Sequence, residues 1–298
     1  MTKPILVFGS AGQLGREILK LAGDRGLQAA GLTRREADIT DAAAIARAVA
    51  AVAPHLIVNA AAYTAVDKAE SEPAAAEAVN SEGAGTIARV AAAAGVPVIH
   101  FSTDYVFDGT KTGPYVETDP IAPLGVYGKT KARGEAKVRA AAARHVILRT
   151  AWVFGQFGNN FLKTMLRLAR ERDRLRVVAD QHGCPTSTMD IAEAVLAIDR
   201  LILAGQPAWG TYHFAGTGAT SWHGFAEMIV AAQAKTTGRA PPVEPITTAG
   251  YPVPARRPAN SELESSRFAA TFGYRAQTWQ ARTAETVACL LARTEPLS

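Results

Sequence analysis

Short apolar segments alternate with helix-type segments through the first half of the chain. Leu14, Ile18 and Leu21 follow the first apolar run at helical spacing. Fully apolar strands between helices are typical of a parallel sheet covered on both faces. We therefore expect an α/β fold with a doubly wound parallel sheet. The predicted strands are Ile5–Phe8, Gln28–Leu32, Leu56–Val58, Val98–Phe101 and Val146–Leu148, and the predicted helices between them include 42–52, 74–94 and the segment after Tyr127.

The pattern becomes irregular after about residue 154. We expect a helix over 160–172, a strand over 175–178 and a helix over 191–202. Residues 211–215 are expected to return to the main sheet as a late strand. Residues 216–298 are expected to add a smaller mixed α/β part, beginning with the helix after Trp222.

Composition excludes several classes of protein. The 298 residues are 48% hydrophobic and 20% charged, as in soluble globular proteins, and no segment has the apolar length of a membrane span. We therefore expect a cytoplasmic protein. Cys184 and Cys289 lie far apart without histidine at ligand spacing, which excludes a disulfide framework or a zinc site.

The net charge of +5 is modest. The densest basic stretch, residues 167–176, is interpreted as a solvated helix face. The alternative is that its arginines bind an anionic substrate. Nucleic-acid binding is not expected, because no aromatic residues interleave with the charges. This stretch comprises Arg167, Arg170, Arg172, Arg174 and Arg176.

A glycine-rich turn lies between the first predicted strand and the first predicted helix. Gly9, Gly12 and Gly15 follow a Gly-x-x-Gly-x-x-Gly spacing. Such a turn lets the backbone approach a pyrophosphate, which the N–H groups of the helix N-terminus then bind. In this position the turn predicts a dinucleotide cofactor.

The end of the second strand indicates which dinucleotide binds. The segment continues as Thr33-Arg34-Arg35 without an immediate carboxylate. A carboxylate there would bind a ribose 2′-hydroxyl, whereas arginine matches a 2′-phosphate. We predict NADPH, with NADH possible; the alternative is a pair of surface arginines in a turn.

Tyr127 and Lys131 are four residues apart, on one face of a predicted helix. A lysine ammonium there is expected to lower the pKa of the phenol and suit it to proton transfer at a carbonyl. The spacing alone is also common in solvent-facing pairs of amphipathic helices.

Five further motifs accompany the glycine turn and the Tyr127/Lys131 pair: Asn59–Glu72, Ser102–Gly109, Val126–Lys131, Gly158–Phe161 and Arg257–Ser261. With these motifs the chain resembles the extended short-chain dehydrogenase/reductase superfamily, and within it the dTDP-4-dehydrorhamnose reductases. This resemblance implies a Rossmann-type domain and NADPH-dependent reduction of the 4-keto group of dTDP-4-dehydro-β-L-rhamnose, a dTDP-sugar.

The resemblance implies a role for individual residues. Tyr127 would be the general acid, Lys131 its electrostatic partner and ribose ligand, and Thr103 the hydroxyl that bonds the substrate carbonyl, with Ser102 as the alternative. Asn80 matches a central-helix asparagine, for which we expect a structural role. The implied cofactor-binding residues also include Gly12, Gln13, Leu14, Asp38, Ile39, Ala62, Tyr63 and Thr64, and the implied substrate-binding residues also include Asp104, Trp152 and Arg257.

The resemblance also implies a division of the chain. Residues 1–154, with 187–215, are expected to form the NADP-binding domain. Residues 155–186 and 216–298 are expected to form the substrate-binding lobe. The loop around Cys184 is expected to line the cleft between them, and Cys184 is not expected to be a nucleophile, because hydride transfer needs none.

Some members of the family are described as dimers joined through Mg²⁺. Glu17 fits the first ligand position, but Met189 and Arg293 take the other two. We therefore predict no dependence on a metal ion. A homodimer is a possible state of the protein. Two other functions stay open: a nucleotide-sugar epimerase or 4,6-dehydratase, and a non-catalytic subunit resembling the regulatory subunit of methionine adenosyltransferase.

Overall fold

The computed structural model describes residues 3–292, and within them the largest sheet has six parallel strands. The order of its strands reverses beside β1, because the chain goes from β1 to β2 on one side and to β3 on the other. The predicted doubly wound α/β fold is confirmed. In spatial order the strands are β2 (Ala29–Leu32), β1 (Ile5–Phe8), β3 (Leu56–Asn59), β4 (Val98–Thr103), β5 (His145–Thr150) and β10 (Gly210–His213).

Helices cover both faces of this sheet. Because neighbouring side chains of a strand point to opposite faces, Ile5 and Val7 pack with one set of helices, and Leu6 and Phe8 with the other. The first set is α1 (Gln13–Asp24), α8 (Thr188–Leu203) and α10 (Ser266–Phe272), and the second is α2 (Ala42–Val52), α5 (Ala84–Ala93) and α6 (Val126–Ala141).

The predicted continuous helix over 74–94 is wrong in its middle. The chain forms α3 (Val66–Ala69), α4 (Pro73–Glu77), a π-helical segment (Ala78–Gly83) and then α5. The π segment carries the buried Asn80, whose amide bonds to groups outside the helix. Alanine spacing predicts helix but contains no signal for these long-range bonds.

The rest of the chain adds a lobe whose core also includes residues that follow β4 and β5. Phe154, Leu162, Phe225 and Val287 belong to that core. The expected helix and strand positions are confirmed with shifts of a few residues at the ends. The remaining helices and strands are β6 (Val153–Phe154), α7 (Phe161–Glu171), β7 (Leu175–Val178), β8 (His182–Gly183), β9 (Thr186–Ser187), β11 (Thr220–Ser221), α9 (Trp222–Thr237), β12 (Val243–Ile246), β13 (Asn260–Ser261) and α11 (Trp279–Ala292). From residue 3 to residue 292, the structure contains no helix with the length and apolar character that a membrane crossing requires.

His55 lies just before β3 and hydrogen-bonds to Lys3, which precedes β1, and to Asp199 on α8. Its Nε2 lies 2.6 Å from Asp199 Oδ1 and its Nδ1 lies 2.6 Å from the Lys3 carbonyl oxygen. Because both ring nitrogens face acceptors, the protonated imidazolium fits the site best. The hydrogen bond to Asp199 is the main cause that raises the pKa of His55.

We predict that His55→Ala destabilises the fold in a pH-dependent way. A raised pKa means that the contribution is fully present below about pH 6.5, the unfolded value, and is lost as pH rises through the folded pKa. We expect a loss of about 1 kcal/mol at low pH, since the pair is partly exposed. Urea unfolding at about pH 6 and about pH 9 measures this; an equal loss at both values would contradict it.

Candidate active site

A groove runs along the carboxyl ends of the central strands, at the point where their order reverses. It consists of two adjoining cavities. Ala11, Gly12, Ala60 and Ala62 line both cavities. Open α/β sheets bind ligands at this reversal point, so the groove is the candidate active site.

The glycine turn forms the floor between the two cavities. Gly9 has φ +80°, and a Cβ there would lie 2.6 Å from the backbone nitrogen of Ala61. A Cβ on Gly15 would lie 2.4 Å from the Gly9 carbonyl oxygen. Gly12, Gln13 and Leu14 line the larger cavity, where the first turn of α1 has N–H groups without intrahelical partners. The turn is therefore shaped for an anion, with Gly15 packed behind it.

The smaller cavity is bordered by the residues that follow β2. Arg34, Asp38, Ile39 and Tyr63 line it. Arg34 Nε donates to Asp38 Oδ2 at 2.9 Å, with most of the arginine side chain exposed. Such an exposed pair is worth little, so the guanidinium is available for a phosphate at this end of the groove.

The loop after β3 forms one wall, and Asn80 holds it. Asn80 Oδ1 accepts from the Tyr63 backbone N–H at 2.8 Å, and Nδ2 donates to the Tyr63 carbonyl oxygen at 3.1 Å and to Thr130 Oγ1 at 3.2 Å. Thr64 extends this wall into the larger cavity. These contacts agree with the structural role predicted for Asn80.

The larger cavity brings together Tyr127, Lys131, Thr103, Asp104 and Trp152. The first two lie on α6, while Thr103 ends β4. Lys131 is buried, and its Nζ donates to the Phe101 carbonyl oxygen at 2.6 Å. Thr103 Oγ1 donates to Asp104 Oδ1 at 2.8 Å. The Thr103 hydroxyl, the Tyr127 phenol and the Lys131 ammonium therefore line the same cavity.

The expectation that Lys131 lowers the pKa of Tyr127 is wrong for this arrangement. Burial raises the pKa of the phenol, the Asp104 charge raises it further, and a hydrogen bond between the phenol and Thr103 opposes both. The ammonium of Lys131 is directed to a backbone carbonyl instead. Tyr127 is therefore protonated at neutral pH, as a proton donor must be.

Burial also shifts the pKa values of Lys131 and Asp104, in each case in favour of the uncharged form. It lowers the pKa of Lys131 to about 8, against the opposing charge of Glu135 one turn along α6. It raises the pKa of Asp104 to about 6, against hydrogen bonds from Ser261 and Thr103. Both groups can thus change charge near physiological pH.

Ser102 and Thr103 both border the cavity, but their side chains diverge as neighbours in a strand do. Thr103 bonds to Asp104 and contacts the phenol of Tyr127, whereas Ser102 faces Glu135 on α6. This arrangement favours Thr103 over Ser102 as the hydroxyl that meets a ligand.

Arg257 is placed differently from the other predicted substrate-binding residues. Its Nη2 donates to Asp67 Oδ2 at 2.7 Å and its Nη1 to the Tyr105 hydroxyl at 3.0 Å. The Tyr105 ring lines the cavity and packs edge-on against Tyr127, with ring centroids 5.7 Å apart. Tyr105 was missed by sequence reasoning, although it lies within the Ser102–Gly109 motif that carried the resemblance.

Cys184 is also placed differently from the prediction. It lines a separate cavity together with Ala215 and Leu263. Burial raises the pKa of its thiol to about 11. A buried, protonated thiol is unreactive, which agrees with its exclusion as a nucleophile.

The residues that align with the Mg²⁺ ligands of some family members do not fit a metal site in this chain. Glu17 is buried and accepts hydrogen bonds from Gln156 Nε2 and Thr188 Oγ1, both at 2.8 Å. Met189 offers a thioether, a poor Mg²⁺ ligand, and Arg293 lies outside the described residues. Within 3–292 there is no group of three or more His, Cys, Asp or Glu side chains suited to a metal ion.

Comparison with known proteins identifies the family. The model of the RmlD substrate binding domain matches residues 2–291. The chain belongs to this family. A relative from Sinorhizobium fredii, named dTDP-4-dehydrorhamnose reductase, is 46% identical over 289 residues, which cover 96% of this chain and 97% of that protein.

Solved structures of RmlD-type proteins have the same fold. A dTDP-4-dehydrorhamnose reductase from Clostridium acetobutylicum matches with a TM-score of 0.90 and 38% identity, over 97% of this chain and 99% of that one. One from Bacillus anthracis, in complex with NADP, matches with a TM-score of 0.88 and 32% identity, over 99% and 100%.

We predict that Gly15→Ala weakens binding of NADPH by at least about tenfold, or about 1.4 kcal/mol. The added Cβ would collide with the Gly9 carbonyl and displace the turn that faces the anion. Gly23→Ala is the matched control, because it lies on the same helix with open space around it and should be neutral or slightly stabilising. Fluorescence titration with NADPH tests both, and equal affinities in the two variants would contradict the prediction.

Proposed function

We propose that this protein is an NADPH-dependent reductase that converts the 4-keto group of dTDP-4-dehydro-β-L-rhamnose to the alcohol of dTDP-β-L-rhamnose. The observation that carries the proposal is the placement of Tyr127, Lys131 and Thr103 on one wall of the groove that begins at the glycine turn. The chain matches relatives named dTDP-4-dehydrorhamnose reductase over nearly their whole length, and this similarity supports the choice of substrate.

Reduction of a ketone needs a hydride and a proton. A bound nicotinamide would supply the hydride to the carbonyl carbon, which would leave negative charge on the oxygen. Tyr127 donates its phenolic proton to that oxygen, while the Thr103 hydroxyl positions the oxygen by a hydrogen bond that replaces its own bond to Asp104. The raised pKa of Tyr127 keeps the phenol protonated until charge develops on the substrate.

Lys131 and the loops hold the reacting groups in place. The Lys131 ammonium, one turn from Tyr127 on α6, would hold the nicotinamide ribose. Its bond to the Phe101 carbonyl fixes its direction. The N-terminus of α1 would bind the pyrophosphate, and the Ala62–Thr64 wall would lie along the nicotinamide ribose.

The cofactor and the substrate would be bound mainly by different parts of the chain. The proposed cofactor domain comprises 1–154 with 187–215, and the proposed substrate lobe comprises 155–186 with 216–298. Gly158 and Asn159 extend from the second lobe to the larger cavity, which supports a substrate site between the lobes. Arg257 stays a prediction as a phosphate ligand, and such binding would have to replace its bond to Asp67.

A dehydratase or epimerase is the second candidate, favoured by one observation. Asp104 lies beside Thr103 with its pKa raised to about 6, as suits an acid that donates a proton. Those enzymes regenerate their cofactor, so stoichiometric loss of NADPH with the dTDP-4-keto sugar distinguishes the reductase. A homodimer, a cytoplasmic location, independence from metal ions and absence of nucleic-acid binding stay predictions, as does the alternative of a non-catalytic subunit.

We predict that Tyr127→Phe lowers kcat by about a hundredfold or more, since the variant lacks the proton donor. Binding of NADPH should change little, because the ring remains. Tyr251→Phe is the control, as Tyr251 is an exposed tyrosine. NADPH absorbance with the dTDP-4-keto sugar generated in situ measures turnover; an unaltered kcat in Tyr127→Phe would refute the acid assignment.

We predict that Arg34→Ala reduces the preference for NADPH over NADH by about tenfold, an effect of about 1.4 kcal/mol. Arg34 borders the cavity at the end where a 2′-phosphate would lie. Arg35→Ala is the matched control, because the exposed neighbour should leave the preference unchanged. The ratio of kcat/KM for the two cofactors is the measurement, and a wild-type preference for NADH would contradict the cofactor assignment.

A further inference from the structure

Trp152 has an unusual backbone conformation at the wall of the groove. It follows β5 and borders the larger cavity together with Thr103 and Tyr127. Its φ is +49°, in the left-handed region that bulky side chains rarely adopt. A tryptophan persists in such a conformation when its surroundings determine where the side chain lies.

Trp222 provides the main aromatic contact. Its ring stacks on Trp152 with centroids 3.6 Å apart and an interplanar angle of 7°. Trp222 is the first residue of α9 and thus belongs to the lobe opposite the cofactor-binding sheet. Phe161, the first residue of α7, packs against Trp222 at 4.6 Å. The two rings therefore connect the groove wall to the core of that lobe.

Two more contacts restrict Trp152. A Cβ on Gly183 would lie 2.6 Å from the indole Cε2, so β8 approaches the ring as closely as a glycine allows. The Trp152 carbonyl oxygen accepts from the Thr186 backbone N–H at 3.2 Å. The position of this side chain is thus determined by three segments of the opposite lobe, whereas Tyr127 and Thr103 are positioned by the sheet and α6.

We propose that Trp222 is a positioning residue that holds the Trp152 indole against the nucleotide-sugar and so determines affinity for that substrate. This inference rests on the proposed reductase function. Trp222 acts through Trp152, because stacked rings of this kind resist reorientation. The cofactor's adenosine end, near Arg34 and Ile39, is bordered by other elements. Loss of Trp222 should therefore affect binding of the sugar nucleotide and leave binding of NADPH unchanged.

The first experiment compares Trp222→Leu with Trp222→Phe. We expect Trp222→Leu to raise the KM for the dTDP-4-keto sugar by about tenfold with a small change in kcat, and Trp222→Phe to restore most of the affinity because it keeps an aromatic face. Trp209→Leu is the control, since Trp209 lies before β10 and contacts Arg144. The Kd for NADPH and the thermal unfolding midpoint of each variant are measured in parallel.

Gly183→Ala provides an independent route to the same side chain. It leaves Trp222 intact but places a methyl group against the indole. It should raise the KM for the sugar nucleotide in the same way, with an unchanged Kd for NADPH. If Trp222→Leu does not fold, this variant decides the question.

Several outcomes would overturn the inference. An unchanged KM in Trp222→Leu would do so, as would a parallel rise in the NADPH Kd or a failure of phenylalanine to restore affinity. If Trp222→Leu is unfolded, an unchanged KM in Gly183→Ala overturns it. A wild-type protein that does not oxidise NADPH with this sugar would refute the proposed function and this inference together, whereas normal wild-type turnover with unaffected variants refutes the inference alone.

Discussion

The architecture of this protein depends on burial of both faces of its parallel sheet. Because Ile5 and Val7 pack against one layer of helices and Leu6 and Phe8 against the other, the faces have no room for a ligand. Polar and reactive groups therefore collect where the strands end. The glycine turn follows β1, Ala62 follows β3, Thr103 ends β4 and Trp152 follows β5, and all of them border one groove.

Desolvation dominates the electrostatics of that groove. It raises the pKa values of Tyr127 and Asp104 and lowers that of Lys131. The simple picture of a lysine that lowers the pKa of a phenol is replaced by a protonated phenol beside a buried ammonium. This arrangement suits an acid that releases its proton only when negative charge appears on the substrate.

Regular elements were predictable because their signals are local. Strands β1, β3 and β7 lie within one residue of the apolar runs that predicted them, and the glycine turn lies between β1 and α1 as expected. The π-helical segment was not predictable, since its Asn80 bonds to Tyr63 and Thr130, and helix periodicity does not encode such partners. Tyr105 was overlooked for a similar reason, as its contact with Tyr127 joins two separate elements.

The sequence by itself determined the sheet, the glycine turn, the family and the residue types of the site, because apolar periodicity and motif spacing are properties of neighbouring residues. Only the tertiary structure decided which partners these residues meet. Arg257 pairs with Asp67, Cys184 lines a cavity other than the groove, and Trp222 stacks on Trp152. Each of these contacts joins residues tens to nearly two hundred positions apart, and desolvation arises from all the chain segments that surround a group at once.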